Sequence, residues 1–198
     1  MKAKASGDIP SLNDGIGKEW GTNGDELFSR TGISESAGSV QGGPANIAAY
    51  DFENPIKPTG FMHSPTFAVG ESTQLQMGMC IPDQTSTATY NHRTDRIDFN
   101  WSRTANKPSH NALLHSMNKM TDASGGSVVD LSATGTWHPL GGATMGVACS
   151  YSGEGYGTPN LFVVDGALIP GSAGVANPAL TIGANAERIM ESVVSQLR

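Results

Sequence analysis

Between residues 86 and 102 the chain alternates apolar and polar positions. Ile97, Phe99 and Trp101 each precede a polar residue, and this period of two places three apolar side chains on one face of a strand. The polar residues 92–95 lie just before them and form a turn. The segment therefore predicts a β-hairpin.

Shorter apolar runs predict further strands. Residues 61–69 and 73–81 have strand length and end at turn residues, and a short run lies near Val128. Residues 161–164 are apolar without alternation, which is typical of a strand buried on both faces of a parallel sheet. Residues 1–46 are rich in turn residues, so we expect little regular structure there.

Two segments show the periodicity of amphipathic helices. The first begins at Pro108-Ser109 and repeats apolar residues at spacings of three and four before Gly125. The second begins at Asn177-Pro178, a favourable pair for a helix start, and its apolar face continues to Leu197. The chain therefore predicts a helix in its middle and a long helix near its carboxyl end.

Composition narrows the function classes. The formal net charge is −6 and no basic stripe is present, so duplex nucleic acid is not an expected partner. No apolar run approaches the ~18 residues of a membrane span, and two cysteines cannot form a disulfide scaffold or a cysteine-based zinc site. Gly and Pro number 25 and 11, which indicates a loop-rich globular chain with a thin core, part of which something else covers.

Candidate chemistry lies in the last third of the chain. His138 precedes Pro139, which favours an extended backbone, and the glycines after it allow close approach of another group. Asp165-Gly166 stands at the end of an apolar run that could be a strand, and open α/β sheets bind ligands at the carboxyl ends of their strands. The amino end of the helix that begins at Asn177 would favour binding of an anion. The structural alternatives are a loop histidine with a satisfied hydrogen bond and an aspartate that caps a turn.

The residues around these positions resemble a known family. The matching segments are Ile9–Asn13, Trp20–Gly24, Thr94–Arg103, Trp137–Gly142 and Asn160–Thr181. In these segments the chain resembles the carboxyl-terminal portion of the glucose–methanol–choline (GMC) flavin oxidoreductases, most closely the cholesterol oxidases of bacteria.

The resemblance implies FAD as cofactor and a role for each candidate. His138 corresponds to the histidine that faces the flavin ring and the substrate hydroxyl, and Asn177 to the asparagine that completes the pair. Asp165 and Gly166 correspond to the flavin-contacting strand end. The helix that begins at Asn177-Pro178-Ala179 corresponds to the one aimed at the flavin pyrimidine ring. The implied reaction is oxidation of a bulky apolar alcohol, with hydride transfer to flavin N5.

The match departs from the family in three places. The dinucleotide fingerprint G-x-G-x-x-G is missing. We therefore expect either that a separate amino-terminal FAD-binding chain (the Rossmann half) is its partner, or that the chain is itself a fragment. The family's glutamate base for double-bond isomerisation is replaced by Met62 or His63. His63 is a candidate base, and its structural alternative is a polar residue on a cavity wall. The loop 174–178 has one extra residue, which can shift Asn177.

Together these observations predict an α+β chain with an antiparallel-sheet substrate domain at residues 21–157. Residues 1–20 and 158–198 would complete the FAD-binding α/β domain of another chain, with a strand and a helix at the carboxyl end. No metal site is expected, and the amino terminus carries no signal peptide. The alternative from another class is a non-redox, degenerate half that binds a hydrophobic ligand or stabilises a partner.

Overall fold

The structure is a computed structural model that describes residues 1–33, 47–63, 70–131 and 136–196. The strands are β1 Glu26–Thr31, β2 Ala48–Asp51, β3 Thr59–His63, β4 Thr73–Cys80, β5 Ala88–Asn91, β6 Arg96–Phe99 and β7 Ser127–Asp130. The helices are α1 Lys2–Ser6, α2 Lys107–Ser124 and α3 Ala179–Gln196, with one 3₁₀ turn at Gly166–Leu168. None of these helices has the length and hydrophobicity that a bilayer crossing requires.

Five strands form one antiparallel sheet in the order β2-β3-β4-β1-β7. Phe28 and Phe61 project from one face and form the core with α2, where Leu113 and Met117 are buried. Because side chains alternate along a strand, Met62 and its pairing partner Met77 project from the opposite face. The predicted mixed α and β fold with an antiparallel sheet is confirmed.

Most of the predicted elements form close to their expected positions. The run 73–81 is β4, the residues near Val128 form β7, and the helix expected at Pro108 begins one residue earlier at Lys107. The run 61–69 supplies β3 as far as His63, and residues 64–69 lie outside the described part of the chain. The predicted domain boundaries at residues 20 and 157 stay predictions.

The predicted hairpin is present as β5 and β6, which pair only with each other. Ile97 and Phe99 keep 40% and 49% of their surface exposed. The Phe99 ring packs against Trp20 with a centroid distance of 4.4 Å. The Ala88 amide also donates to the Gly17 carbonyl at 2.7 Å, and Lys2 pairs with Asp95 at 2.7 Å. The alternating pattern therefore marks a ribbon that packs on residues near the amino end instead of a core strand.

The expectation of little regular structure in residues 1–46 is wrong at β1. This strand lies between β4 and β7, and its Arg30 is buried. The guanidinium hydrogen-bonds to the Met120 carbonyl at 3.3 Å and to Ser124 Oγ, both at the end of α2. Sequence patterns treat a charged residue such as Arg30 as exposed, so they do not predict a buried strand here. Its burial becomes favourable only through the contact with α2.

The strand predicted at residues 161–164 is not formed as a strand. Phe162 makes one antiparallel bridge to Glu154, and the Val163 amide donates to the Gly153 carbonyl at 2.9 Å. Among the described residues no parallel strand lies beside it. An apolar run of this kind needs strand neighbours on both sides, and the described part of the chain supplies only a loop.

Arg30 should stabilise the end of α2. That helix has no basic residue in its last turn, so the β1 guanidinium is the cation that meets its terminal carbonyls. We expect Arg30→Met to lower the free energy of unfolding by about 1–3 kcal/mol, because buried acceptors lose a charged donor. Urea denaturation measures this. Arg96→Met, at an exposed site in β6, is the control and should change stability by less than about 0.5 kcal/mol.

Candidate active site

His138 lies on a short segment that is fixed against residues near the amino end. Leu140 and Gly21 exchange two backbone hydrogen bonds, of 3.0 and 2.8 Å. The His138 ring points its Nδ1 at Asp25 Oδ2, at 2.8 Å. The Asp25 side chain is 3% exposed and that of His138 13%. A nearly buried carboxylate therefore holds the predicted catalytic histidine.

Thr136 fixes both the backbone and the ring of His138. The Thr136 hydroxyl oxygen accepts a hydrogen bond from the His138 amide at 2.8 Å and lies 2.7 Å from Asp25 Oδ2. It also lies 2.9 Å from the Thr22 carbonyl oxygen. One hydroxyl therefore couples the imidazole, its carboxylate partner and the turn that carries the carboxylate.

Asn23 joins this group to the loop before Asn177. Asn23 is fully buried and has a φ of 58°, a left-handed conformation that asparagine tolerates better than most residues. Its Oδ1 accepts from the Ala173 amide at 2.8 Å, and its Nδ2 donates to the Ala176 carbonyl at 3.1 Å. Its Nδ2 also lies 3.3 Å from Asp25 Oδ1. The structure thus brings the segments of His138 and Asn177 together through Asn23 and Asp25.

Asn177 uses both atoms of its carboxamide. Oδ1 accepts from the Ala179 amide at 2.9 Å and caps α3, so the predicted helix start is observed. Nδ2 lies 3.5 Å from the sulfur of Met62. In the loop that has the extra residue, the Ala176 carbonyl accepts the hydrogen bond from Asn23.

Met62, and not His63, faces Asn177. His63 follows Met62 on β3 and shares the face of Phe61, which packs towards α2. Burial lowers the pKa of His63 from its ordinary value, which favours the neutral ring. The structure therefore does not bring His63 together with Asn177, and its role as a base stays a prediction.

Asp165 and Gly166 have local structural contacts. Asp165 is exposed, and its carboxylate accepts from the Ala167 amide at 2.8 Å, so it caps the 3₁₀ turn. A Cβ on the buried Gly166 would lie 3.0 Å from a methyl carbon of Leu140 and 3.1 Å from one of Ile182. Gly166 therefore allows the His138 segment to pack closely on α3.

Three buried methionine side chains pack together beside Asn177, and we call them the methionine surface. Met62, Met77 and Met79 form a buried cluster on the sheet face opposite α2. Thioether side chains are apolar, polarizable and adaptable in shape. The three residues are 6%, 3% and 1% exposed, so other parts of the chain already cover most of their surface.

A second histidine–carboxylate group lies on the other face of the sheet. His110 directs Nδ1 at Glu26 at 2.5 Å, and its Nε2 lies 3.6 Å from Asp130. The ligand atoms of the three residues lie within 4.8 Å of one another. The two ring nitrogens face different carboxylates, so the imidazole bridges Glu26 of β1 and Asp130 of β7.

Comparison with known proteins identifies the family. The family model described as GMC oxidoreductase matches residues 82–186, more than half of the 198-residue chain. The chain belongs to the GMC oxidoreductase family.

Solved structures have the same fold as this GMC chain. A pyridoxine 4-oxidase from Mesorbium loti superposes with a TM-score of 0.58 over 93% of this chain, at 16% identity. A fungal aryl-alcohol oxidase superposes with a TM-score of 0.52 over 70% of this chain, at 15% identity. The GMC chain spans 44% and 28% of those two chains, so it corresponds to less than half of each.

The sequence did not single out Asp25, Asn23 or Thr136. Asn23 and Gly24 belong to one of the segments that resemble the family, which was the only signal there. Asp25 and His138 are separated by 113 positions, and no local pattern predicts that their side chains meet.

Gly21 is required for the close contact that positions His138. A Cβ at Gly21 would lie 2.4 Å from the Gly171 carbonyl oxygen and 2.6 Å from Gly171 Cα. We expect Gly21→Ala to lower the free energy of unfolding by about 1–3 kcal/mol, because the backbone must shift. Thermal unfolding measures this effect.

The matched control is Gly183→Ala in α3. Nothing lies within 4 Å of a Cβ at that position, so alanine should stabilise the helix by about 0.5–1 kcal/mol. Equal effects of the two substitutions would contradict the steric explanation.

Proposed function

We propose that this chain supplies the substrate-binding and catalytic part of an FAD-dependent alcohol oxidoreductase. One observation carries the proposal. The His138 imidazole is held by buried Asp25 beside the loop that ends in Asn177. Family membership supports the same conclusion.

His138 would accept the hydroxyl proton of the alcohol. An imidazole changes charge near neutral pH and is the commonest proton acceptor in enzymes. Asn177 would orient the alcohol oxygen without changing charge. Its Nδ2 now contacts a thioether sulfur, which is a weak acceptor, so a substrate oxygen is a better partner for that amide.

The family resemblance favours a bulky apolar alcohol, and the apolar methionine surface beside Asn177 is compatible with one. Met62, Met77 and Met79 offer no charge and no strong hydrogen-bonding group. Met62 faces Asn177, where a base for double-bond isomerisation would be needed, and a thioether cannot accept that proton. The proposed reaction is therefore alcohol oxidation without isomerisation, with O₂ or another acceptor taking the electrons.

The start of α3 fits the flavin end of FAD. The Ala179 amide donates its hydrogen bond to Asn177 Oδ1. The next amides of the first turn, those of Leu180 and Thr181, have no hydrogen-bond acceptor within the helix. Leu180 is 84% exposed, and a Cβ on Gly174 would meet nothing within 4 Å. Asn177, Pro178 and Ala179, together with exposed Asp165, would line the flavin. Bound FAD would supply the acceptor for the hydride of the carbinol carbon.

The remainder of the FAD site would come from sequence outside these 198 residues, because the G-x-G-x-x-G fingerprint is missing. Met190 and Val194 lie four residues apart on α3 and are 39% and 41% exposed. Ile189 is the one buried residue of α3. We infer that an amino-terminal FAD-binding part packs on this apolar face, as a separate chain in a heteromer or as part of one polypeptide.

The proposed function is tested by producing the chain together with an amino-terminal FAD-binding half from the same source. We expect a yellow complex that an apolar secondary alcohol bleaches. His138→Ala should keep the colour and lower the rate of bleaching about 10²–10⁴-fold, because the proton acceptor is lost. Stopped-flow absorbance of the flavin measures both properties.

A colourless complex that still binds a lipid would contradict the proposal. That result would support the non-redox alternative, in which the chain binds a hydrophobic ligand or stabilises a partner.

The apolar face of α3 gives a separate prediction. Met190→Glu combined with Val194→Glu should abolish co-purification with the FAD-binding half, because two charges would be buried without partners. Ile97→Glu on the exposed hairpin is the control and should leave the complex intact. Affinity co-purification and flavin content report the result.

A further inference from the structure

We infer that Asp25 is a positioning residue that keeps the proton of neutral His138 on Nδ1, so that Nε2 is free to accept the proton of the alcohol. The inference deepens the proposed function and rests on it. It assigns a role to a residue that does not itself touch the reacting atoms.

The hydrogen-bond chemistry fixes the direction of the bond. An ionised carboxylate only accepts hydrogen bonds. His138 Nδ1 lies 2.8 Å from Asp25 Oδ2, so the proton of this hydrogen bond belongs to Nδ1. In a neutral imidazole the other nitrogen then carries the lone pair.

Two further polar side chains surround the Asp25 carboxylate. Thr136 Oγ1 lies 2.7 Å from Oδ2 and Asn23 Nδ2 lies 3.3 Å from Oδ1. Among the described residues no Lys or Arg side chain pairs with Asp25, and His138 is its only ion-pair partner. A positive charge that develops on His138 would therefore meet a buried negative charge without a competing cation.

The balance of the reaction follows from this arrangement. The O–H bond of the alcohol breaks, and its proton goes to His138 Nε2. The C–H bond breaks, and its hydrogen leaves with the electron pair as hydride to the flavin, which is the oxidant. The alcohol becomes a carbonyl compound and His138 an imidazolium that Asp25 stabilises.

The neighbouring residue provides a matched control. Glu26 follows Asp25 in sequence and carries the same charge, but it contacts His110 on the opposite face of the sheet. Glu26→Gln removes a carboxylate from a histidine outside the proposed site. Its effect separates a general loss of charge or stability from a specific effect on His138.

The experiment uses Asp25→Ala, Asp25→Asn and Glu26→Gln in the complex with the FAD-binding half. NMR of ¹⁵N-labelled histidine rings identifies which nitrogen of His138 carries the proton. Stopped-flow kinetics gives the limiting rate of flavin reduction and the dissociation constant of an apolar secondary alcohol.

Asp25→Ala should move the His138 proton from Nδ1 to Nε2. It should also lower the limiting rate by about 10²–10⁴-fold, the range for loss of an acid–base group, with little change in the dissociation constant. Asp25→Asn should shift the proton in the same direction and lower the rate, because Asn23 donates at the Oδ1 position, so the new amide oxygen takes that place and the amide nitrogen donates to His138 Nδ1. Glu26→Gln should change only the His110 signals.

Retention of the Nδ1 proton in Asp25→Ala, or a wild-type limiting rate in both Asp25 variants, would overturn the inference. If Asp25→Ala does not fold, the reduced rate of Asp25→Asn beside an unchanged Glu26→Gln decides in its favour. If Asp25→Ala moves the proton while wild-type flavin is not bleached, the proposed function fails and the control of the tautomer by Asp25 stands.

Discussion

The turn at residues 22–25 holds together every part of the candidate site. Its Asp25 binds the imidazole of His138, and its Asn23 binds both sides of the loop that leads to Asn177. The same turn leads directly into β1, which lies inside the sheet. The geometry between the histidine and the asparagine is therefore set by a short segment that is far from both in sequence.

Close backbone contacts make this arrangement rigid. Gly21 approaches Gly171 too closely for any side chain, and Gly141 approaches the carbonyl of Glu19 in the same way. Packing of this kind leaves few alternative positions for the His138 segment. The His138 segment is therefore held in place by contacts within the chain itself.

Local periodicity predicted the elements whose apolar residues recur at a regular spacing. Helix α2, helix α3 and strand β4 follow their apolar spacing, and the start of α3 at Asn177 follows from capping chemistry. Strand β1 could not be predicted, because the burial of its charged residue depends on the end of α2. The segment 161–164 shows the converse error, since an apolar run becomes a strand only where neighbouring strands are present.

Only part of the candidate site could be predicted, because local sequence patterns do not show which distant residues meet in the fold. His138 and Asn177 stand in segments that resemble the family, and family membership is established. The pairing of His138 with Asp25 arises only when distant parts of the chain fold together. The position of His63 was ambiguous in sequence, and strand pairing places it on the face away from Asn177.

The carboxamide of Asn177 has one further consequence. It serves the first turn of α3 with its oxygen and faces the methionine surface with its nitrogen. A replacement selected for a different substrate would also loosen the helix, so this position is poorly placed to diversify.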